Sequence, residues 1–380
     1  MTSTIDPKSA SDETTLVTGF PAFTARRMTK KILEEAPKTR VYLLAREKFR
    51  AAADEFLAEP EMARLAARER VTVVEGDVCD MDLGLAGGEY KAIAEEVTSI
   101  FHLASIYYLG VKRDVAERVN VEGTRAILEL ADECTRLKRL TYFSTAQVSG
   151  SRFGVVLEEE LDEGQRFHND YEETKFRAEK LVQGAARRLP ITVLRPGVIV
   201  GDSKTGEIDK FDGPYYLTVL IVTSPLHVHL PLPGRGAAPL YLVPIDFVID
   251  AAWALSQDPR AVGRTFHLTD PAPLSGRSVY ELIAKRADRK APRGSFPTAF
   301  AKLLLRAPGL EKLARAPLSF LESLNQMTLY NCRGTMSLLE EKGIRCPPFD
   351  SYVDNLVRFV REVHEQRRQK LEEETFDPFD

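Results

Sequence analysis

The sequence predicts an α/β protein: a doubly wound parallel sheet with a smaller, mainly helical C-terminal region. Three observations carry this. Short apolar, β-branched runs recur at Thr15–Thr18, Val41–Leu44, Val71–Val74, Ser99–Leu103, Leu140–Ser144 and Ile191–Leu194. Helix-like segments separate them, at Ala25–Glu35, Arg46–Leu57, Tyr90–Glu96, Val115–Glu133 and Tyr171–Arg188. Glycine and proline punctuate the joints, as at Gly19-Phe20-Pro21 and Arg195-Pro196-Gly197. Near-continuous apolar strands suit a sheet covered on both faces, and parallel pairing needs a long crossover between strands.

After Gly201 the alternation stops. Residues from Asp202 to Ala238 are rich in glycine, proline and aromatics, a strand–helix unit returns at Leu240–Leu255, and Thr265–Leu268 reads as a late strand. From Ser275 onward the pattern is helical, most amphipathic at Phe300–Leu313 and Tyr352–His364. This divides the chain into a sheet-forming part (12–201 and 240–270), a second region (202–239 and 271–366) and a charged tail (367–380) expected to fray.

A net charge of -4 argues against nucleic-acid binding. The cysteines Cys79, Cys134, Cys332 and Cys346 are scattered without metal-ligand spacing, so they read as free thiols and no metal site is expected. The polar N-terminus has no apolar signal region, which makes a cytoplasmic protein the default expectation. The charge-free run between Asp212 and Arg235 holds Pro214, Pro225, Pro231 and Pro233, too many for a spanning helix.

Chemistry concentrates at Tyr171 and Lys175, four residues apart and so on one helix face. An ammonium beside a phenol favours phenolate and lowers its pKa toward a useful acid–base range. Such a pair is common on solvated helices; its surroundings give it weight. The run Tyr142-Phe143-Ser144-Thr145 is an apolar strand ending in hydroxyls, and in an open parallel sheet ligands sit at the strands' carboxyl ends. Of Ser144 and Thr145, only one faces such a site.

The combination resembles the extended short-chain dehydrogenase/reductases. Further matches are Phe101-His102-Leu103-Ala104-Ser105, Asn120-Val121-Glu122-Gly123-Thr124 and Leu194-Arg195-Pro196-Gly197-Val198 through Gly201, so the resemblance spans roughly the first 270 residues. It implies a Rossmann fold and an NADP(H)-dependent oxidoreductase. It also implies that Tyr171 donates the proton, that Thr145 is the active hydroxyl with Ser144 beside it on the substrate side, and that Lys175 holds the nicotinamide ribose and tunes Tyr171. Asn120 matches the family's helix asparagine, with a structural role equally open. Pro196 to Val198 line the carboxamide through backbone atoms, Asp77 and Val78 match the adenine-contacting pair, and Ala104 falls at the cofactor's edge.

The phosphate turn departs from the family's T-G-x-x-G-x-x-G. It reads Thr18-Gly19-Phe20-Pro21-Ala22-Phe23-Thr24-Ala25: Gly19 is kept, Ala22 and Ala25 replace glycines, and Pro21 removes an N–H. Helix-terminus N–H groups and the nearby Arg26 and Arg27 remain to meet phosphate. Arg46, after the second strand, replaces the acid of NAD-preferring sites and points to NADP(H). The stretch from Arg195 through Pro214 looks like the branch with thioester and fatty acyl reductases.

The leading expectation is reduction of a hydrophobic carbonyl compound, free or as a CoA- or carrier-linked thioester. The apolar segment Tyr215–Val222, an aromatic wall from Tyr107 and Tyr108, and the apolar face of Phe300–Leu313 would surround the substrate, the last equally suited to a membrane surface. Two other readings compete: a nucleotide-sugar epimerase or dehydratase (or hydroxysteroid-type dehydrogenase), and a non-catalytic nucleotide sensor that the altered turn would suit. Tyr215–Val222 lacks the charge a nucleotide sugar wants, and a sensor has no need of Thr145, Tyr171 and Lys175 together.

Overall fold

The computed structural model describes residues 13–107, 111–225, 229–296 and 326–375, without the side chains of 233, 296 and 370–375. Strands β1 (Thr14–Thr18), β2 (Arg40–Ala45), β3 (Val71–Glu75), β4 (Ser99–His102) and β5 (Arg139–Phe143) lead to β6 (Gly154–Val156), β7 (Ile191–Pro196) and β8 (Val198–Val200). Then come β9 (Leu232–Pro233), β10 (Leu242–Pro244), β11 (Arg264–Leu268), β12 (Ser295–Phe296) and β13 (Thr328–Tyr330). The helices are α1 (Phe23–Glu35), α2 (Arg50–Ala58), α3 (Pro60–Arg64), α4 (Ala67–Arg70), α5 (Gly87–Glu96), α6 (Arg113–Ala116), α7 (Gly123–Glu133) and α8 (Asp170–Ala185). They continue with α9 (Tyr215–Thr223), α10 (Ile245–Ser256), α11 (Gly276–Arg286), α12 (Arg333–Glu340) and α13 (Val353–Thr375).

One parallel sheet runs β11-β7-β5-β4-β1-β2-β3. Successive strand residues point to opposite faces, and both faces are filled. Leu16, Tyr42, Ile100 and Leu140 pack with Ile127 and Leu130 of α7 and Ala178 and Val182 of α8. Their neighbours Val17, Leu43, Phe101 and Phe143 pack on the other side with Met28 and Ile32 of α1 and Val248 and Leu255 of α10. Chain order reverses between β1 and β4, so the crevice for a ligand opens at their carboxyl ends.

A second core joins α9, α11 and α13 through Tyr215, Ile221, Val222, Val279, Tyr280, Ile283, Val353 and Leu356. The apolar segment expected to face the substrate is therefore α9, which buries Tyr215, Ile221 and Val222 in that core. The Tyr215 hydroxyl accepts the Gly201 N–H at 2.9 Å, and the residue is at 3% exposure. Its role as a substrate residue is corrected: core packing consumes it.

Other expectations shift. The helix at Val115–Glu133 is α6 and α7 joined by a π-turn over Glu117–Glu122. The predicted unit at Leu240–Leu255 forms, but β10 pairs with β8 outside the main sheet. Among the described residues the region after Ser275 holds two short strands, and β13 pairs in parallel with β6. Helix α13 runs through Thr375, into the segment expected to fray; Glu, Gln, Lys, Arg and Leu fill it, all good helix formers. Tyr108 and Phe300–Leu313 lie outside the described residues. Among the described residues no helix is long and apolar enough to cross a membrane.

Candidate active site

Helix α8 begins with a reciprocal cap. Asn169 Oδ1 accepts the Glu172 N–H at 2.9 Å, and Asn169 Nδ2 donates to Glu172 Oε1 at 3.1 Å. The His168 N–H donates to Glu172 Oε2 at 2.9 Å. This fixes the first turn and with it Tyr171, which meets the Thr145 side chain at the end of β5. Ser144 turns the opposite way and donates to Glu179 at 2.5 Å. The alternation of a strand thus decides between the two hydroxyls: Thr145 faces the phenol, and Ser144, expected on the substrate side, faces the core.

Burial pushes the Tyr171 phenol up to about 12, with Thr145 pulling it back down. Lys175 is fully enclosed; its Nζ donates to the Phe143 carbonyl at 2.7 Å and lies 4.5 Å from the centre of the Tyr142 ring. Desolvation pulls it down to about 7, against Glu179. The expected lowering of the phenol by a neighbouring ammonium is thereby corrected. Desolvation disfavours the charged form of both groups, so Tyr171 holds its proton at neutral pH.

Linkage gives a test. Unfolded, this lysine titrates near 10.5; folded, near 7. Between these values the unfolded chain binds more protons, so stability rises with pH. Lys175→Met is expected to flatten that rise from pH 7 to about 8, a range in which most unfolded thiols and the phenols keep their protons. Denaturant midpoints across this range read it; an unchanged slope would show that another group titrates.

Asn120 is buried and its amide is fully used. Oδ1 accepts the Ile106 N–H at 2.8 Å, while Nδ2 donates to Ile106 O at 3.2 Å and Thr174 Oγ1 at 3.0 Å. It pins the loop after β4 to α8, beside Lys175. Tyr107, in that loop, is half-exposed; burial raises its phenol, and Asp212 and Asp209 raise it further.

At the dinucleotide end, Thr18 is turned inward. Its Oγ1 accepts from the Leu103 and Ala104 N–H groups at 3.2 and 3.1 Å, so its proton goes to His102 Nδ1 at 2.8 Å. The opposite ring nitrogen must then donate to Thr124 Oγ1 at 3.1 Å, and Thr124 donates to Asn120 O at 2.7 Å. Burial holds His102 near 3, hence neutral. Thr18 and Ala104 thus lock β1 to β4.

Gly19 has φ +98°, and a Cβ there would lie 2.8 Å from the Leu103 carbonyl carbon. The turn Gly19-Phe20-Pro21-Ala22 rests directly on β4, and Ala22 N–H closes it on Gly19 O at 3.0 Å. No side chain caps α1, which leaves the first-turn N–H groups of Phe23 and its successors for an anion. These residues fit a dinucleotide pyrophosphate. Arg26 and Arg27 are not the loose charges expected: Arg26 pairs with Asp209 at 2.5 Å, and Arg27 pairs with Asp202 and lies 3.7 Å from Glu207.

Arg46 stands half-exposed beyond β2, stacked on Phe49 at 5.0 Å and 3.9 Å from Asp77. Val78 points inward against Gly123 of α7. Pro196 ends β7; Gly197 N–H then bonds Leu268 O at 3.0 Å and Val198 N–H bonds Tyr241 O at 2.8 Å. A cleft of about 60 Å³ opens beside Gly197 and Val198, walled by Gln147, Ser149, Glu172 and Tyr241, and by Gln326, Thr328 and Tyr330 from the far end of the chain. Sequence reasoning missed these last three. The alternating Thr328-Leu329-Tyr330, β-branched then aromatic, was the available signal.

A family model described as male sterility protein, an NAD-binding family, matches residues 17–252. The chain is 29% identical over 297 residues to the fatty acyl-CoA reductase wat of Drosophila melanogaster, covering 68% of this chain and 56% of that protein. It is 32% identical over 220 residues to the glycine betaine reductase ATRR of Emericella nidulans, covering 56% of this chain and 17% of that one. The chain thus spans about half of the first relative's length and less of the second's. Among solved structures, the terminal R domain of the myxalamid PKS-NRPS pathway superposes with a TM-score of 0.78 at 26% identity, covering 93% of this chain and 91% of that one.

Proposed function

Because the chain belongs to the male sterility NAD-binding family, a thioester-reductase-like branch of the extended short-chain dehydrogenase/reductases, we propose that it reduces an acyl thioester with NADPH, Tyr171 delivering the proton. The observation that carries this is the Thr145–Tyr171 pair at the carboxyl end of β5, one helical turn from the enclosed Lys175. A bound reduced nicotinamide supplies the hydride to the thioester carbonyl carbon. The Tyr171 O–H gives its proton to the carbonyl oxygen, with Thr145 sharing that oxygen's charge. The resulting hemithioacetal collapses by breaking its C–S bond, releasing aldehyde and thiol. A phenol that keeps its proton at neutral pH suits an acid in the reductive direction.

In this reading residues 12–201 and 240–270 hold the nucleotide, and 202–239 with 271–366 shape the substrate side. The Gly19 turn and the open N-terminus of α1 support pyrophosphate binding, and the exposed Arg46 supports a 2′-phosphate. The thiol arm is CoA or a carrier, as for the reductases it resembles. The decisive experiment is NADPH consumption with acyl-CoA thioesters, aldehyde being trapped; no turnover with any thioester, or turnover of a nucleotide sugar instead, would overturn the reading.

Arg46→Asp is expected to move cofactor preference from NADPH toward NADH, since a carboxylate suits a ribose 2′-hydroxyl and repels a 2′-phosphate. The ratio of kcat/KM for the two cofactors measures it. Equal use of both by the wild type would remove the basis for assigning Arg46 this role.

A further inference from the structure

The cleft beside Gly197 and Val198 is not the apolar tunnel expected for a plain alkyl chain. Two of its wall residues bear hydroxyls: Tyr330, on β13, and Ser149, four residues after Thr145 in the chain, with their oxygens 2.9 Å apart. A hydroxyl has one proton to donate. One of the two bridges the pair, and the other has no acceptor among the described residues. Tyr330 is held firmly in place. Its N–H donates to the Tyr241 hydroxyl at 3.1 Å, and its ring packs edge-on to Tyr241 and His267 at 4.8 and 5.3 Å. Thr145 and Tyr171 do not themselves line the cleft, but the residues that follow them in the chain, Ala146 and Glu172, do. The one carboxylate there, Glu172, is taken up by His168 and Asn169. At about 60 Å³ the space takes a short substituted segment.

We propose that Tyr330, paired with Ser149, is a specificity-determining residue that donates a hydrogen bond to an oxygen carried by the acyl chain close to the thioester. The preferred substrates are then hydroxy- or oxo-acyl thioesters rather than plain alkyl ones. This rests on the thioester-reductase reading above.

The probes are 3-hydroxybutanoyl-CoA and butanoyl-CoA, which differ by that oxygen. The readout is the ratio of their kcat/KM values, which does not depend on the fraction of protein that folds. The wild type is expected to favour the hydroxy compound. Tyr330→Phe removes one hydroxyl and should lower the ratio about 5–10-fold, mainly through KM, as expected for one lost neutral hydrogen bond. Ser149→Ala should move it the same way. A ratio near one in the wild type, or one unchanged in Tyr330→Phe, overturns the assignment. If the wild type reduces neither thioester, the reductase reading fails instead. Equilibrium binding of the two CoA thioesters to wild type and Tyr330→Phe then decides the Tyr330 assignment by the same contrast.

Discussion

Tyr171→Phe is expected to cut kcat on an acyl thioester by about 10²–10⁴-fold, the usual contribution of a positioned general acid, while leaving NADPH affinity close to wild type. The substitution removes one oxygen from a helix whose first turn is fixed independently by Asn169 and Glu172. The ring therefore keeps its place and only the hydroxyl, with its proton, is lost. Single-turnover rates and NADPH titration separate the two effects. Retention of most of the rate would point to another donor, and Tyr107 is the next phenol to test, since it is close enough to raise the Tyr171 pKa.

Glu179→Ala is expected to be the most damaging change to stability. Glu179 and Arg195 are both at 1% exposure or less, and their ion pair closes at 2.6 Å. The guanidinium is satisfied on every side. It donates to Glu158 O at 3.3 Å, to Glu160 O at 2.8 Å and to His267 Nε2 at 3.2 Å. His267 can accept there because its other nitrogen donates to Asn331 O at 2.7 Å, and burial keeps the ring neutral, near 3. Removing the carboxylate strands a buried cation and frees Ser144, a loss of about 3–5 kcal/mol. A shift of the urea midpoint reads this; an unmoved midpoint would mean that water enters and solvates Arg195.

The sheet was legible because its strands are buried on both faces, which writes itself as uninterrupted apolar runs such as Leu16-Val17 and Ile100-Phe101. Helical spacing puts Tyr171 and Lys175 on one face, and the hydroxyl-ended strand upstream with the family resemblance is what singled them out. What a strand does with adjacent hydroxyls was not legible: Ser144 and Thr145 differ only in parity, and parity depends on register. Tyr215–Val222 misled because an apolar helix reads alike whether it lines a cleft or a core, and only the partners on α11 and α13 decide. Tyr330 was hidden by distance along the chain. Its strand is three residues long, too short to announce itself among helices, and its place is set by pairing with β6.

That pairing has a consequence for the order in which the molecule comes into being. Thr328 lies opposite Gly154, so the wall bearing Tyr330 docks on a strand synthesised 328 − 154 = 174 residues earlier. At about 5–20 residues per second, the ribosome needs roughly 10–35 s between the two. Through that interval Glu158 lacks donors that it has in the folded chain, since the Gly334 and Thr335 N–H groups and the Thr335 hydroxyl, which join the His267 N–H on its carboxylate, have yet to emerge. His267 likewise waits for the Asn331 carbonyl. The nascent chain passes through a stage in which β1 to β5 have emerged while the cleft beside Gly197 and Val198 still lacks the wall made by Thr328 and Tyr330. The turn at Gly19 therefore emerges early, and the wall bearing Tyr330 closes the cleft last.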